Sequence, residues 1–531
     1  MLSSTHSLFR AIIFSLIFQV IILLPKVWTT ESPGLSAAES IQNSQKQIGK
    51  SSEFKRNHNL ISQITSPKAT VPSDTTDQST KKTEPGLKKS KKVKFTLESA
   101  INRALKANRG IRDVMDQVEG ARLSLVAADS EFELKIVPSG EARVAGHSDE
   151  GSSDTLGAGI SLQKKFDVGT DISIAPRTQK TDDLYSTGVD TRLIQPLLRG
   201  FGKEYNLSGV HSAEFGTRTS RRNLYLRQIS TVLSTITAVY DVIRQRELYQ
   251  LNEESALRLQ IHAEAARAKN KIGMANQIDV YRAGIQQKQA EDNLNVAREA
   301  YRVALDNLKI LLSLPLDEEI EVEAALKYNI IRLTMQAAAS TALKTRVELD
   351  QAKDNLREAE RLSRVAKHNI LPDLDVVFNY SRFGSGENFG DSTGFNKDSW
   401  NVGLVTSTDI ARTVERAAFD RSLLNVQGAQ RNLSLLRDEV VSEVNRDFRN
   451  LRGYENSIKI QQEQIKQAKG QLELAQVKFK WGLANNFDLI DAETQLRNAQ
   501  TNLLSAVINY IVGTNRLRAS MGTLLERPKR F

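Results

Sequence analysis

The sequence predicts a mainly α-helical chain with a β-barrel portion, built from two duplicated long helical hairpins. Three observations predict it: two long proline-free stretches, a sequence that repeats itself, and alternating segments between the helical stretches. After residue 94, proline stands only at 138, 176, 196, 315, 372 and 528. Proline breaks helix interiors, so its absence is informative. Within the free stretches, Leu207–Ala268 and Arg412–Lys480 read as helices of roughly 90–105 Å at 1.5 Å per residue. Helices that long need others alongside them.

The helical seams are visible in the spacing. Ile465, Ala468, Leu472, Ala475 and Phe479 recur at steps of three and four. Leu496, Ala499, Leu503, Ala506, Tyr510, Gly513 and Leu517 continue the rhythm, and Ala290, Leu294, Ala297, Tyr301, Ala304, Leu308 and Leu311 carry it earlier. A sustained 3.5-residue repeat implies coiled-coil packing, and the many small residues permit close approach.

Between the helices lie period-two segments. Leu374, Val376, Phe378 and Tyr380 alternate with mostly polar neighbours, as do Trp400, Val402 and Leu404. Phe132–Val144, Leu156–Phe166, Gly169–Pro176 and Ser186–Gln195 look alike. Too few strands for a single-chain sandwich, they suggest a barrel shared among several chains. Phe378, Tyr380 and Trp400 are candidates for an aromatic belt at a lipid boundary, or for packing between protomers.

The duplication is explicit. Shifted by 209 residues, Ile272–Leu294 lies over Trp481–Leu503 with nine of 23 positions identical, including Gly273/Gly482, Asn276/Asn485 and Asp279/Asp488. Earlier segments align instead at a shift of 238, so the first half holds about 29 extra residues among its strands. Each half reads helix, strands, very long helix, tight turn, helix. Gly273 and Gly482 stand where a helix stops at positive φ. Asn276 and Asn485 suit the next N-cap, with Asp279 and Asp488 as capping partners three residues on.

Charge and composition exclude other classes. The chain has 531 residues and a net charge of +10. Residues 1–30 and 31–94 carry most of that excess, which leaves the folded part nearly neutral and argues against nucleic-acid binding. Arg10 followed by Ala11–Leu24 predicts a signal peptide over 1–30, with an uncleaved anchor as the other reading. Residues 31–94, rich in Ser and Lys, predict a disordered linker that is solvated or meets anionic partners. A cysteine-free chain has no disulfides, thiolate metal sites or cysteine nucleophile, and its six histidines lack metal-ligand spacing. No catalytic constellation and no cofactor motif is present, so no enzyme is expected.

Five segments together carry a family resemblance: Lys271–Gln287, Lys480–Leu496, Gln195–Gly202 (QPLLRGFG), Ile370–Val376 and Met521–Leu525. Over roughly 95–525 the chain resembles the TolC-family outer membrane efflux proteins. Its repeats then span 95–315 and 316–525, with a basic tail at 526–531. The resemblance implies a homotrimer in the cell outer membrane: a trimeric α-barrel in the periplasm and a shared transmembrane β-barrel in outer membrane lipid. It implies a periplasmic adaptor protein and an inner-membrane pump of RND, ABC or MFS type as partners, the chain itself being a passive exit duct. A periplasmic coiled-coil or adaptor protein without a pore is the alternative.

The resemblance also assigns surfaces. Gly273, Met274, Ala275, Asn276, Gly482, Leu483, Ala484 and Asn485 become adaptor-contacting tips, or simply residues a tight turn tolerates. Asp488 and Asp491 become carboxylates of a constriction, or a helix cap and a solvated acid. The match of Asp491 in the first half is Arg282, so the hairpins are not equivalent. The chain departs from the family in three ways. An additional segment, Gly159–Ile174, is a candidate for barrel strands or a surface flap. TDIARTVE (Thr408–Glu415) lacks the proline of QPLLRG, and the leader of about 60 residues is unusually long; the absence of cysteine excludes the family's lipoprotein subset.

Overall fold

Two helices set the scale of the protein. In the computed structural model, α4 runs from Ser208 to Lys271 and α9 from Thr413 to Lys480. Their 64 and 68 residues extend about 96 and 102 Å at 1.5 Å per residue. The sequence placed both within three residues of their observed ends. The structure describes residues 93–147, 151–481, 483–484, 486–528 and 531. The signal-peptide segment, most of the linker, Gly482 and Asn485 lie outside the described residues.

Each long helix folds back through a short turn. At the first turn, Gly273 adopts φ +75, Met274 N–H donates to the Lys269 carbonyl at 2.8 Å and Gly273 N–H to that of Asn270 at 3.0 Å. This closure satisfies the last carbonyls of the helix. Leu483 N–H reaches back to Lys478 in the same way, also at 2.8 Å. The return helices are α5 (Gln277–Leu311) and α10 (Asn486–Ser520), 35 residues each.

The seams are those the 3.5-residue repeat marks. Ala468, Leu472 and Ala475 of α9 are buried against Leu489, Ala492 and Leu496 of α10. In the first hairpin, Ala263, Ala266 and Ala283 pack together near the turn. Small side chains let the backbones approach. At Gly513, an added Cβ would stand 3.3 Å from the Tyr454 ring across the seam.

Shorter helices flank the long ones from their strand ends to their middles. In the first half these are α1 (Leu97–Ala107) and α2 (Arg109–Asp129), with α3 (Lys203–Asn206) leading into α4. Thr96 and Ser99 form a reciprocal capping box at the start of α1. In the second half, α6 (Met335–Thr345) and α7 (Val347–His368) take that place. A parallel pair, β1 (Val93–Thr96) and β6 (Ile320–Glu323), joins the start of the first repeat to the connection between repeats. Phe95, Val242, Leu308, Leu312, Ile320 and Val322 form the core beneath it.

All remaining strands form one antiparallel sheet. They are β2 (Lys135–His147), β3 (Gly151–Lys165), β4 (Asp171–Thr181), β5 (Leu184–Pro196), β7 (Asp375–Gly386) and β8 (Lys397–Val405), ordered β2-β3-β4-β5-β7-β8. The one-turn helix α8 (Phe389–Ser392) lies in the β7–β8 connection. The segment Gly159–Ile174 therefore supplies strands to this sheet; β3 pairs with β2 on one side and β4 with β5 on the other. β2 and β8 are the open edges.

Candidate functional site: the sheet faces and the hairpin tips

The strand registers sort the sheet into two chemically distinct faces. Trp400, Val402 and Leu404 on β8 stand opposite Tyr380, Phe378 and Val376 on β7. The same face continues through Leu193 to Ile172, then from Ile174 to Leu162 and Ile136. Side chains alternate along a strand, so this face carries an apolar band, interrupted by Thr191 and bounded by Lys164, Gln195, Arg382 and Asp398. It is also bare: Trp400, Ile136, Leu156 and Val144 are each at least half exposed. The three candidate aromatics meet here, with Tyr380 paired directly to Trp400.

The opposite face is polar and internally bonded. Arg177 and Asp190 form an ion pair at 2.7 Å, and Ser381 donates to Asp190 at 2.6 Å. Asn379 bonds Asn401 across the β7–β8 seam at 2.9 Å. Arg177, Gln179, Ser186, Asp190, Ser381 and Ser399 line a hollow of about 290 Å³ on this side. An apolar face and a hydrogen-bonded polar face on one twisted sheet suit a wall between lipid and water.

Two arginines hold the wall to the helices. Arg412, 6% exposed and at φ +53, opens α9. Its guanidinium donates to the carbonyls of Asn369, Ile370 and Leu371, in the turn that follows α7. The cation thus satisfies the backbone just beyond a helix C-terminus, where the dipole is negative. Arg199 of QPLLRG reaches the same connection, pairing with Asp373 at 3.2 Å. Leu197 N–H also donates to the Leu374 carbonyl at 2.8 Å. The segments Gln195–Gly202 and Ile370–Val376, far apart in sequence, are thus neighbours in the fold.

The opposite ends of the hairpins are greasy. Met274 and Leu483 are 74% and 78% exposed. Asn276 and Gly273 are exposed, and Ala275 and Ala484 half-buried. Asn276 caps α5 by accepting from Ile278 N–H at 3.2 Å, and Asp279 adds its charge to that first turn. Asp488 is exposed in the first turn of α10. Asp491, one turn on, accepts from Gln495 at 2.8 Å. Sequence reasoning missed the largest tip side chains: Ile272, Tyr281, Trp481 and Phe487 are all at least 60% exposed. The duplication held the signal, because Trp481 aligns with Ile272, and Phe487 with the exposed Ile278.

Behind the tips the hairpins are locked together by charge. Lys269 lies over the Phe479 ring, 3.6 Å from its centroid, and donates to the Phe479 carbonyl at 3.1 Å. Arg258 pairs with the buried Glu493 at 2.9 Å. Burial beside this pair pushes the His262 imidazole below its ordinary value; Arg258 adds to the fall and Glu493 opposes it. Among the described residues no cluster of His, Asp and Glu could hold a metal ion, and no helix is long and apolar enough to cross a membrane.

Residues 338–523 match the family model described as outer membrane efflux protein. The chain is 23% identical to the outer membrane protein TolC of Escherichia coli K12 over 320 residues, covering 56% of this chain and 63% of that one. With TolC of Vibrio cholerae it shares 22% identity, over 69% of this chain and 83% of the relative. In fold it is similar to the CmeC outer membrane channel of Campylobacter jejuni, with a TM-score of 0.65 at 15% identity over 81% of this chain and 86% of that one. It is equally similar to the open-state MtrE outer membrane channel of Neisseria gonorrhoeae, with a TM-score of 0.65 at 16% identity over 82% and 91%. The second half thus carries a sequence match to the outer membrane efflux family, and about four fifths of the chain shares the fold of the outer membrane channels.

Proposed function

We propose that the chain is the outer-membrane exit duct of an efflux or secretion assembly and works as a homotrimer. Its open sheet forms part of a transmembrane barrel in outer membrane lipid, and its helical hairpins form a tube in the periplasm. One observation carries this reading: a single sheet with a bare apolar band on one face and a polar opposite face is joined directly to helices about 100 Å long. A coiled-coil protein working in water has no use for such a face.

The hairpin tips in this reading dock a periplasmic adaptor, which couples the duct to an inner-membrane pump of RND, ABC or MFS type. Exposed Trp481, Leu483, Phe487 and Met274 supply the apolar anchors that such a contact favours. The pump supplies the energy, so no catalytic residue is required of this chain. Asp488 and Asp491 form an acidic collar at the narrow end, where like charges gathered about an axis favour cations.

The test is reconstitution. Purified from outer membranes, the protein should run as a heat-modifiable trimer and open ion-conducting channels in planar bilayers. A water-soluble monomer without conductance would sink the reading and favour the adaptor alternative. Asp491→Lys should reduce cation preference at the tip, and unchanged ion selectivity removes the collar.

A further inference from the structure

The wall contains more strands than the duplication accounts for. The second repeat contributes one hairpin, β7–β8, and the first contributes β2, β3, β4 and β5. In the repeat alignment β2 matches β7, and the strand leading into α4 matches the strand leading into α9. The surplus is β3–β4, Gly151–Thr181. Its length agrees with the 29 residues by which the two alignment shifts differ. Continuous registers bind it on both sides, so it is wall and not flap.

Among the described residues the sheet ends at β2 and β8, each with one row of backbone groups that no described strand pairs. Lipid cannot satisfy those groups. All six strands alternate in direction. With an even number, a rotation that brings β8 of one copy beside β2 of the next sets them antiparallel, as in every other pair. The apolar face also continues across that seam, from Trp400, Val402 and Leu404 to Ile136, Ala142 and Val144.

We propose that β3–β4 is an inserted pair of staves and that three copies close an eighteen-stranded barrel through a β8–β2 seam, six strands from each. Without the insertion, the two matched hairpins per copy would close a barrel of twelve. At about 4.8 Å between strands and a tilt of about 40°, the backbone diameter rises from about 24 to about 36 Å, one and a half-fold. The outer-membrane portion is then no size filter, and selection of cargo by width falls to the helical end. This rests on the trimeric duct proposed above.

Absence of native cysteine makes the seam directly testable. Val402→Cys is combined in turn with Ile136→Cys, Gly140→Cys and Val144→Cys, which span β2 on the apolar face, and the outer-membrane protein is treated with a short bismaleimide. At least one pair should give covalent dimers and trimers, and no single variant should. Linkage of Val402→Cys to Ile174→Cys on β4 instead, or to none of the β2 positions in a protein that still forms trimers, overturns the proposal. Electron microscopy of the unmodified trimer in detergent is the second measurement. A barrel about 36 Å wide supports the insertion, and one about 24 Å wide refutes it while leaving the duct intact. A protein that forms neither trimer nor pore fails the functional reading itself.

Discussion

The two repeats end alike and begin differently. Their hairpin turns superpose in sequence at a single shift of 209 residues, while their strand regions differ by a whole hairpin. The contrast has a packing cause. In the long hairpins every seam residue faces a partner at a 3.5-residue step, so one inserted residue rotates everything beyond it off the seam. In the sheet the unit of change is a hairpin. Adding two strands preserves antiparallel order, keeps apolar residues on one face and leaves the edges to pair as before.

The most disruptive way to probe this contrast is at matched seam positions. Leu308 and Leu517 stand 209 residues apart, and both are fully buried. Leu308→Ala and Leu517→Ala should each cost about 2–5 kcal/mol, through lost burial and the cavity left behind. Thermal unfolding followed by helical circular dichroism measures both. If one variant melts like the parent while the other is crippled, the repeats are not packed equivalently.

A smaller difference is expected where the repeats diverge, at the junction with the wall. Arg199 and Arg412 occupy corresponding places, each on the way from strand to long helix. Arg412 is buried on three carbonyls, so Arg412→Ala leaves polar groups unsatisfied and should cost about 2–4 kcal/mol. Arg199 pairs with Asp373 where both side chains are about one third exposed, and Arg199→Ala should cost no more than about 1 kcal/mol. Equal losses in the same melting experiment would mean that Arg412 contributes nothing beyond an ordinary surface pair.

How much of this was legible depended on whether the signal was local. The seam Ile465–Phe479 could be read because each apolar residue reports its helix phase through neighbours three and four away. The strands could be read because alternation is local too. The place of β3–β4 in the sheet could not, since a hairpin has the same pattern whether it joins a wall or hangs free. Pairing with β2 and β5 decides that, and pairing is a long-range property. The clamp of Arg412 on the end of α7 was invisible for the same reason: TDIARTVE shows an arginine but not the three carbonyls that it meets. Trp481 and Phe487 were not legible as tip anchors because a large apolar residue beside a turn has the same local pattern whether it is packed or exposed.

The matched tyrosines offer a finer comparison. The Tyr510 hydroxyl accepts from Ile331 N–H at 3.1 Å and lies 3.3 Å from the Asn329 carbonyl, pinning the connection between repeats. Its match Tyr301 is only half-buried, packed at the edge of the first core. Tyr510→Phe should therefore cost about 1–2 kcal/mol and Tyr301→Phe a few tenths. Hydrogen exchange at Ile331 gives the sharper readout: it should quicken in the first variant alone, and unchanged protection there would show that the hydroxyl does not hold the connection.

The smallest expected effect is a pH response confined to one hairpin. His262 lies on α4, and its counterpart at the same shift is Gln471, exposed and without charge. Burial holds the folded imidazole below its ordinary value of 6.5, with Arg258 adding to the fall and Glu493 opposing it. Below pH 6.5 the unfolded segment therefore takes up a proton more readily than the folded one. The stability that His262 lends is complete above that pH and drains away as pH falls towards the lowered folded value. Amide exchange in α4 around His262 should quicken between about pH 7 and pH 5, after correction for the intrinsic rate, while α9 around Gln471 stays level. His262→Gln should abolish the difference. Glu493→Gln should enlarge it, since it removes the charge that favours the imidazolium. If the two hairpins loosen together on acidification, the response belongs to the carboxylates common to both and not to this histidine.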